Sequence, residues 1–540
     1  MLKTGLSTNT LLLLTAAFLL AFGNVAFISN VLKAYPITGD NAPALISLIV
    51  VFGGVIVLLF AMLCFKQTTK PVLITFLLLS SLAAYFMDTY GTVISEDMLR
   101  NVAHTNMAET LELFTLKLLA YFMFLGVVPA LAIGKVPLQW HGLRAELISR
   151  LKLFSIMLVL LIGSVLAFGN FYASFSREHK VLRSYANPGY YVYSVIRYAN
   201  HLFAAKANGP ITAVATDAKI PAWDIDRELI ILVVGETARA DRFSLNGYQR
   251  DTNPRLQQKN VISFTNFWAC GTSTAVSIPC MFLLDGESGT SAANIDKQEN
   301  LLDVLQYSGV NVLWLDNNSD SKHVAARVPF QDFKSPRNNP ICDMECRDEG
   351  MLSAIQPFID AHPKGDILIV MHQMGNHGPA YYKRYPPAFE KFTPTCKSSD
   401  LSLCTQEEIG NAYDNAILYT DDFLAKTINM LEKNDHQFET ALLYVSDHGE
   451  SLGEKGLYLH GLPKMIAPEA QLHIPAVMWF GSSFHGANVS ALRMKRAMQF
   501  THANLFHTIL GLLEIETATY RHDMDMLEGT RAYEKPVSGQ

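Results

Sequence analysis

The 540-residue sequence has no surplus of basic residues: 43 Lys and Arg stand against 49 Asp and Glu, a formal net charge of −6. Binding a polyanion takes a concentrated cationic surface, so this balance argues against a nucleic-acid partner. There is no internal repeat and no low-complexity tract. There is no HExxH, which disfavours a zincin protease, and no GxSxG elbow to carry a Ser-His-Asp triad. Cysteine is scarce, at seven residues, and beyond about residue 176 no long apolar run occurs.

What is abundant is apolar, and it is unevenly placed. Half of all residues are hydrophobic and mean hydropathy is +0.17. Runs near 10–32, 43–65, 71–90, 116–134 and 153–175 are each close to the ~20 residues that cross a bilayer as a helix. Five transmembrane helices are therefore predicted, with the first read as an uncleaved anchor because four further spans follow it. Lys3, Lys66, Lys70, Lys135, Arg144, Arg150 and Lys152 fall on one side, while the 91–115 loop carries Glu96, Asp97, Glu109 and Glu112. The positive side is cytoplasmic, and five spans carry the C-terminal domain across, into the periplasm of a bacterium.

Cysteine usage agrees with that compartment. Cys64 sits alone in a span, whereas Cys270/Cys280, Cys342/Cys346 and Cys396/Cys404 are near neighbours in the soluble part. Three local disulfides suit an oxidising compartment. The rival, thiolate zinc binding, has only the Cys342/Cys346 spacing near its pattern.

The sequence divides into a membrane domain (1–175), a connector (176–211) and a periplasmic domain (212–540). The connector mixes Arg177, Lys180, Arg183 and Arg197 with Tyr185, Tyr190, Tyr191, Tyr193 and Tyr198, which suits either the lipid interface or a solvated helix. Beyond it, β-rich runs at 229–234, 310–315, 367–371, 441–446 and 474–480 alternate with helical periods at 300–308, 350–361 and 411–433. Continuous apolar strands separated by helices predict an α/β domain around a mostly parallel sheet. Its ligand site should lie beyond the carboxyl ends of the strands.

Chemistry-bearing residues follow those strands: Glu236 after 229–234, Asp447-His448-Gly449-Glu450 after 441–446, and His372 then His377 after 367–371. A carboxylate alone at a strand end is usually a cap. Several carboxylates and imidazoles on one sheet edge suit Zn²⁺, which takes four N, O or S ligands. The stretch CGTSTAVSIPC, 270–280, offers Thr272, Ser273, Thr274 and Ser277 as hydroxyl nucleophiles, and metal coordination would activate one of them.

Seven stretches, VVGETARADRFSLNGY, CGTSTAVSIPC, DNNSDSK, HQMGNHGPAY, NAYDNAI, SDHGESLGE and YLHG, resemble the lipid A phosphoethanolamine transferases. That family includes the transferable colistin-resistance enzymes and belongs to the alkaline phosphatase/sulfatase superfamily. The resemblance covers essentially the whole chain. It implies a zinc held by Glu236, Thr274, Asp447 and His448, with Thr274 as nucleophile and a possible second metal near His377 and His460. Lys322, His377 and His460 match phosphate-binding or proton-transfer positions, and Ser319 a weaker substrate contact. Asn101, Thr105 and Glu109 match residues that hold the ethanolamine head group, and their spacing of four puts them on one face of a helix. The Cys- or Ser-x-Pro-x-Arg signature of formylglycine sulfatases is missing from 270–280, against sulfate-ester hydrolysis.

The implied reaction moves phosphoethanolamine from phosphatidylethanolamine to a lipid A phosphate through a phosphothreonine, in a monomer in the inner membrane. The product's added ammonium would weaken binding of polymyxins and other cationic peptides. Its rivals are a phosphoethanolamine or phosphoglycerol transferase acting on core sugars or glycans, and a non-catalytic periplasmic zinc sensor.

Overall fold

The computed structural model describes residues 5–105, 107–179, 181–205, 211–286 and 295–530. Lys3, Lys180 and residues 206–210 of the connector lie outside these. The described residues form two compact units, one of 5–99 with 114–198 and the other of 100–113 with 199–530.

The first unit is helical. Ala42–Leu63, Thr69–Tyr90, Leu116–Lys135 and Leu143–Ala167 are long and apolar enough to span a membrane, and Thr8–Phe22 with Val25–Ala34 makes a fifth span if that bent pair is one crossing. The bend of 59° has a polar cause. Asn24 Nδ2 donates to Leu19 O (2.9 Å) and Asn187 O (2.7 Å), and Asn24 Oδ1 accepts from Asn187 N, so the side chain competes with the helical ladder. The last run differs from its predicted bounds. Its helix starts at Leu143 rather than 153, so Arg144, Arg150 and Lys152 lie in its opening turns and not in a loop. Arg150 donates to Ala61 O and Cys64 O, a charge satisfied by carbonyls at a helix end. Exposed Leu151, Val159 and Leu166 on this helix form the apolar surface a bilayer solvates.

In the connector, Gly189–Ala205 is a helix. Tyr185 is buried with its hydroxyl on Gly91 O (2.6 Å), and Arg197 pairs with Glu96 (3.1 Å).

The second unit is built on eight strands: β1 (Glu228–Gly235), β2 (Ile262–Trp268), β3 (Asn311–Asp316), β4 (Phe330–Asp332), β5 (Ile367–His372), β6 (Glu439–Ser446), β7 (His473–Phe480) and β8 (Phe500–Thr501). Their order is β8-β2-β7-β6-β1-β5-β3-β4. All pairs are parallel except those of β7, which is antiparallel to both β2 and β6. The five predicted strands are all present, and three were not predicted. Of these, β4 and β8 are edge strands of three and two residues, too short to announce themselves in a sequence, and β2, seven residues long, interrupts its apolar residues with Ser263, Thr265 and Asn266. Every residue of β1 is buried, and each of its aliphatic side chains stabilises the fold by about 1.5–3 kcal/mol on burial. Among the covering helices, Gln406–Asn434 is the longest. It opens with a capping box in which Thr405 Oγ1 accepts from Glu408 N and Glu408 Oε2 accepts from Thr405 N, satisfying two end groups.

Strand register places the site. Gly235 is paired with Ser446 and Val234 with His372, so Glu236, Asp447 and the loop after His372 leave the sheet side by side at its carboxyl edge.

Candidate active site

Two buried carboxylates and an imidazole converge at that edge. One ligand atom from each of Glu236, Asp447 and His448 lies within 4.8 Å of the others. Glu236 Oε2 accepts from Asn318 Nδ2 (2.8 Å), and Asp447 Oδ1 from Thr237 N and His448 N. Glu236 Oε1 and Asp447 Oδ2 accept no hydrogen bond although both are buried, a costly state without a counter-charge. His448 Nδ1 faces Gly449 O at 2.9 Å. Donating there leaves Nε2 as a lone pair, 3.4 Å from Glu236 Oε1 and 3.3 Å from Asp447 Oδ2. Burial, then the Asp447 charge, pushes the Glu236 carboxyl up, and burial likewise raises Asp447. Burial and His460 hold His448 well below the usual imidazole range. Three groups with no charge-balanced arrangement among themselves fit a bound cation, and their N and O donors fit Zn²⁺.

Thr274 is brought into the same group. Its Oγ1 donates to Glu236 Oε2 (3.1 Å) and is 3.4 Å from His448 Nε2. It is the first residue of the Thr274–Phe282 helix, whose N-terminus favours developing negative charge. Of the four candidate hydroxyls, Thr274 alone among the described contacts joins this cluster. Thr272 Oγ1 instead donates to Leu462 O (2.6 Å), holding the loop that follows His460. Ser273 and Ser277 are buried with hydroxyls that find no hydrogen-bond partner.

His460 Nδ1 is 2.7 Å from Glu450 Oε2, whose other oxygen accepts from Tyr381. Burial would depress His460, yet Glu450 prevails and raises it. Its ring centroid is 4.4 Å from that of His448 and 5.5 Å from that of His377, and His448, Glu450 and His460 form another metal-capable trio. His377 is pushed well down by burial and by His460. Lys322 Nζ donates to Ser319 O (2.6 Å) and Oγ (2.8 Å), burial lowering its pKa against the pull of Glu109. Asp320, Lys322 and His323 all have positive φ, strain of a kind that persists where surroundings impose it.

The head-group residues divide. Glu109 is buried and feels Lys322, Arg384 and His460. Asn101 and Thr105 do not share a helical face with it: one helix ends at His104 and the next runs Met107–Glu112. Thr105, in the break, folds its hydroxyl onto Asn101 O at 2.8 Å. The spacing of four is real, but the residues between do not sustain one continuous helix.

Several residues that position the site escaped the sequence reading. Arg384, fully buried, is clasped by Glu112 and Glu345 while its Nε donates to His377 O (2.6 Å). Asp348 accepts from Met374 N and Gly375 N. At Gly375 (φ +51) a Cβ would stand 2.9 Å from Glu236 O, so the loop can approach only as glycine. His502 Nε2 donates to Ser446 O (2.9 Å), and its Nδ1 accepts from Cys270 N (3.3 Å). This imidazole ties the Cys270–Cys280 loop to the strand end bearing Asp447. Glu450 lies within the legible SDHGESLGE stretch; His502 and Asp348 had no local signal. Cys270–Cys280, Cys342–Cys346 and Cys396–Cys404 are disulfides, and Cys64 is a buried free thiol.

Comparison with known proteins agrees in both units. Residues 52–203 match the phosphoethanolamine transferase EptA/EptB family and residues 228–515 the sulfatase family. Phosphatidylethanolamine transferase Mcr-1 of Escherichia coli is 42% identical over 88% of this chain and 90% of its own length. Phosphoethanolamine transferase EptA of E. coli K12 is 38% identical over 96% of both. The solved integral membrane protein lipooligosaccharide phosphoethanolamine transferase A (EptA) of Neisseria meningitidis superposes with a TM-score of 0.93 at 34% identity, over 98% of this chain and all of that one.

Proposed function

The chain belongs to the phosphoethanolamine transferase family of integral membrane enzymes, and on that premise we propose that it carries phosphoethanolamine from phosphatidylethanolamine to a lipid A phosphate by way of Thr274. The observation that carries this reading is Thr274 Oγ1, hydrogen-bonded to Glu236 at the start of a helix beside two uncompensated carboxylate oxygens.

Glu236, Asp447 and His448, with Thr274, would hold Zn²⁺, which when bound lowers the pKa of a coordinated hydroxyl and neutralises phosphoryl charge. Glu236 Oε2 accepts the Thr274 proton as Oγ1 attacks phosphorus. The bond from phosphorus to the glycerol oxygen breaks, and diacylglycerol departs with a proton supplied through His460 or His377. Lys322, turned inward by its strained loop, balances charge on the non-bridging oxygens. Glu109, beside Lys322 and His460, faces the ammonium of the head group. In the second half a lipid A phosphate oxygen attacks the phosphothreonine, and Thr274 regains its proton. One chain holds every group this cycle uses, so a monomer suffices. Tethering both lipids and the enzyme to one membrane raises their effective concentration. Each product gains an ammonium, which makes the outer surface less anionic and less attractive to polymyxins.

Mass spectrometry of lipid A from cells producing the parent or Thr274→Ala tests the assignment. The parent should add phosphoethanolamine and yield a phosphothreonine peptide at 274, the variant neither. Equal modification by both would remove Thr274 from the mechanism.

A further inference from the structure

A second set of buried acids closes the opposite edge of the sheet. Asp224, Glu228 and Asp366 each place a carboxylate oxygen within 4.8 Å of the others. Glu228 opens β1, Asp366 immediately precedes β5, and the Leu229–Ile367 register sets them side by side. Asp224 sits in the turn before β1, its N–H on Pro221 O. Eight residues of strand at about 3.3 Å each separate this group from Glu236, a distance of roughly 25 Å.

The group has acceptors to spare. Glu228 is 2% and Asp366 3% exposed, yet Glu228 Oε2, Asp366 Oδ2 and Asp224 Oδ2 accept no hydrogen bond. Arg227, the cation acting on Asp366, is already spent on Gly365 O and His362 O, its face against the Phe438 ring. Glu514 and Asp226 add further negative charge. Three carboxylates against one guanidinium leave two charges unbalanced, the demand a dication meets. Half-buried Asp224 leaves a way in from solvent.

We propose that Asp224, Glu228 and Asp366 form a binding site for a hard divalent cation, calcium or magnesium, separate from the catalytic metal. Oxygen-only ligation selects such ions over zinc, which prefers sites with nitrogen or sulfur. The ion fastens the chain entering the domain at 221–228 to the amino ends of β1 and β5, at the end of the sheet remote from Glu236. The competing occupant is a proton shared by Glu228 and Asp366, for burial and Asp366 push the Glu228 carboxyl up to about 10.

The test uses the full-length protein in detergent, loaded with zinc and then freed of other metals on a chelating resin. Equilibrium dialysis against radiolabelled calcium, with magnesium as competitor, should find one calcium per chain. Glu228→Gln combined with Asp366→Asn should abolish that binding while zinc content and transferase activity stay at parental levels. Asp224→Asn, at a half-exposed position that tolerates change, should weaken calcium binding by about 10-fold or more and guards against misfolding of the double variant. Millimolar calcium and magnesium that leave the parent empty, or binding undiminished in Asp224→Asn, would overturn the site and leave the shared proton in its place.

Discussion

The two edges of one sheet carry buried acids with opposite company. At the carboxyl edge, Glu236 and Asp447 are joined by His448, Thr274, Lys322 and His460; at the amino edge, the charged groups that act on Asp224, Glu228 and Asp366 among the described residues are other carboxylates and Arg227, with the Glu228 N–H donating to Asp366 Oδ1. Both edges leave buried oxygens without donors, so both ask for positive charge. The difference lies in what else is supplied: a nucleophile, a neutral imidazole lone pair and a proton donor make one edge reactive, and their lack makes the other a place that can only hold.

The sharpest way to break the comparison is at the nucleophile. Thr274→Ala should cost at least ~10³-fold in transfer, read as phosphoethanolamine on lipid A, whereas no substitution at the amino edge should approach that. Next is charge. Glu236→Gln or Asp447→Asn should lower zinc affinity by about 100-fold and activity with it, measured by elemental analysis; unchanged zinc in both would mean the metal is held elsewhere.

Smaller effects sharpen how the reactive edge is positioned. His502→Phe should reduce kcat about 10- to 100-fold with zinc retained and KM little changed, and His502→Gln, which keeps a donor and an acceptor, should restore part of it. This imidazole also has a pH signature. Burial lowers its pKa from 6.5 to about 4, so below 6.5 the unfolded chain binds a proton that the folded one refuses. The stabilisation is full above pH 6.5 and is lost as pH falls toward 4, by up to about 3 kcal/mol. His502→Gln should flatten that part of the stability–pH curve, and an unchanged slope would dismiss the residue as its source. Replacing Cys270 and Cys280 by serine should lower activity about 10-fold while zinc stays bound, because the cross-link limits where Thr274 can wander. Smallest of all, calcium should raise the unfolding midpoint of the zinc-loaded parent by a few degrees and leave that of the Glu228→Gln/Asp366→Asn protein where it was.

Much of this was legible before any coordinates. Apolar runs gave the spans because a bilayer core demands unbroken hydrophobicity. Five of the eight strands showed themselves because strands buried on both faces read as continuous apolar runs, the four parallel ones and the antiparallel β7 alike. The limits were equally physical. The first span bends at Asn24 because a distant residue, Asn187, completes its hydrogen bonds. The helix holding Asn101 stops before Glu109, which periodicity did not register. The antiparallel direction of β7 leaves no mark on composition.

The sequence by itself determined the membrane–periplasm division, the three short disulfide loops and the strand-end chemistry, since each depends on neighbours close along the chain. Spacing left four hydroxyls of CGTSTAVSIPC open and the family resemblance singled out Thr274; the tertiary structure sets Thr274 beside Glu236 and alone decided how His502 joins two halves of the site across 232 residues. It alone set Asp224 and Glu228 against Asp366. Those pairings depend on strand register and loop approach, which are fixed by packing summed over the whole domain.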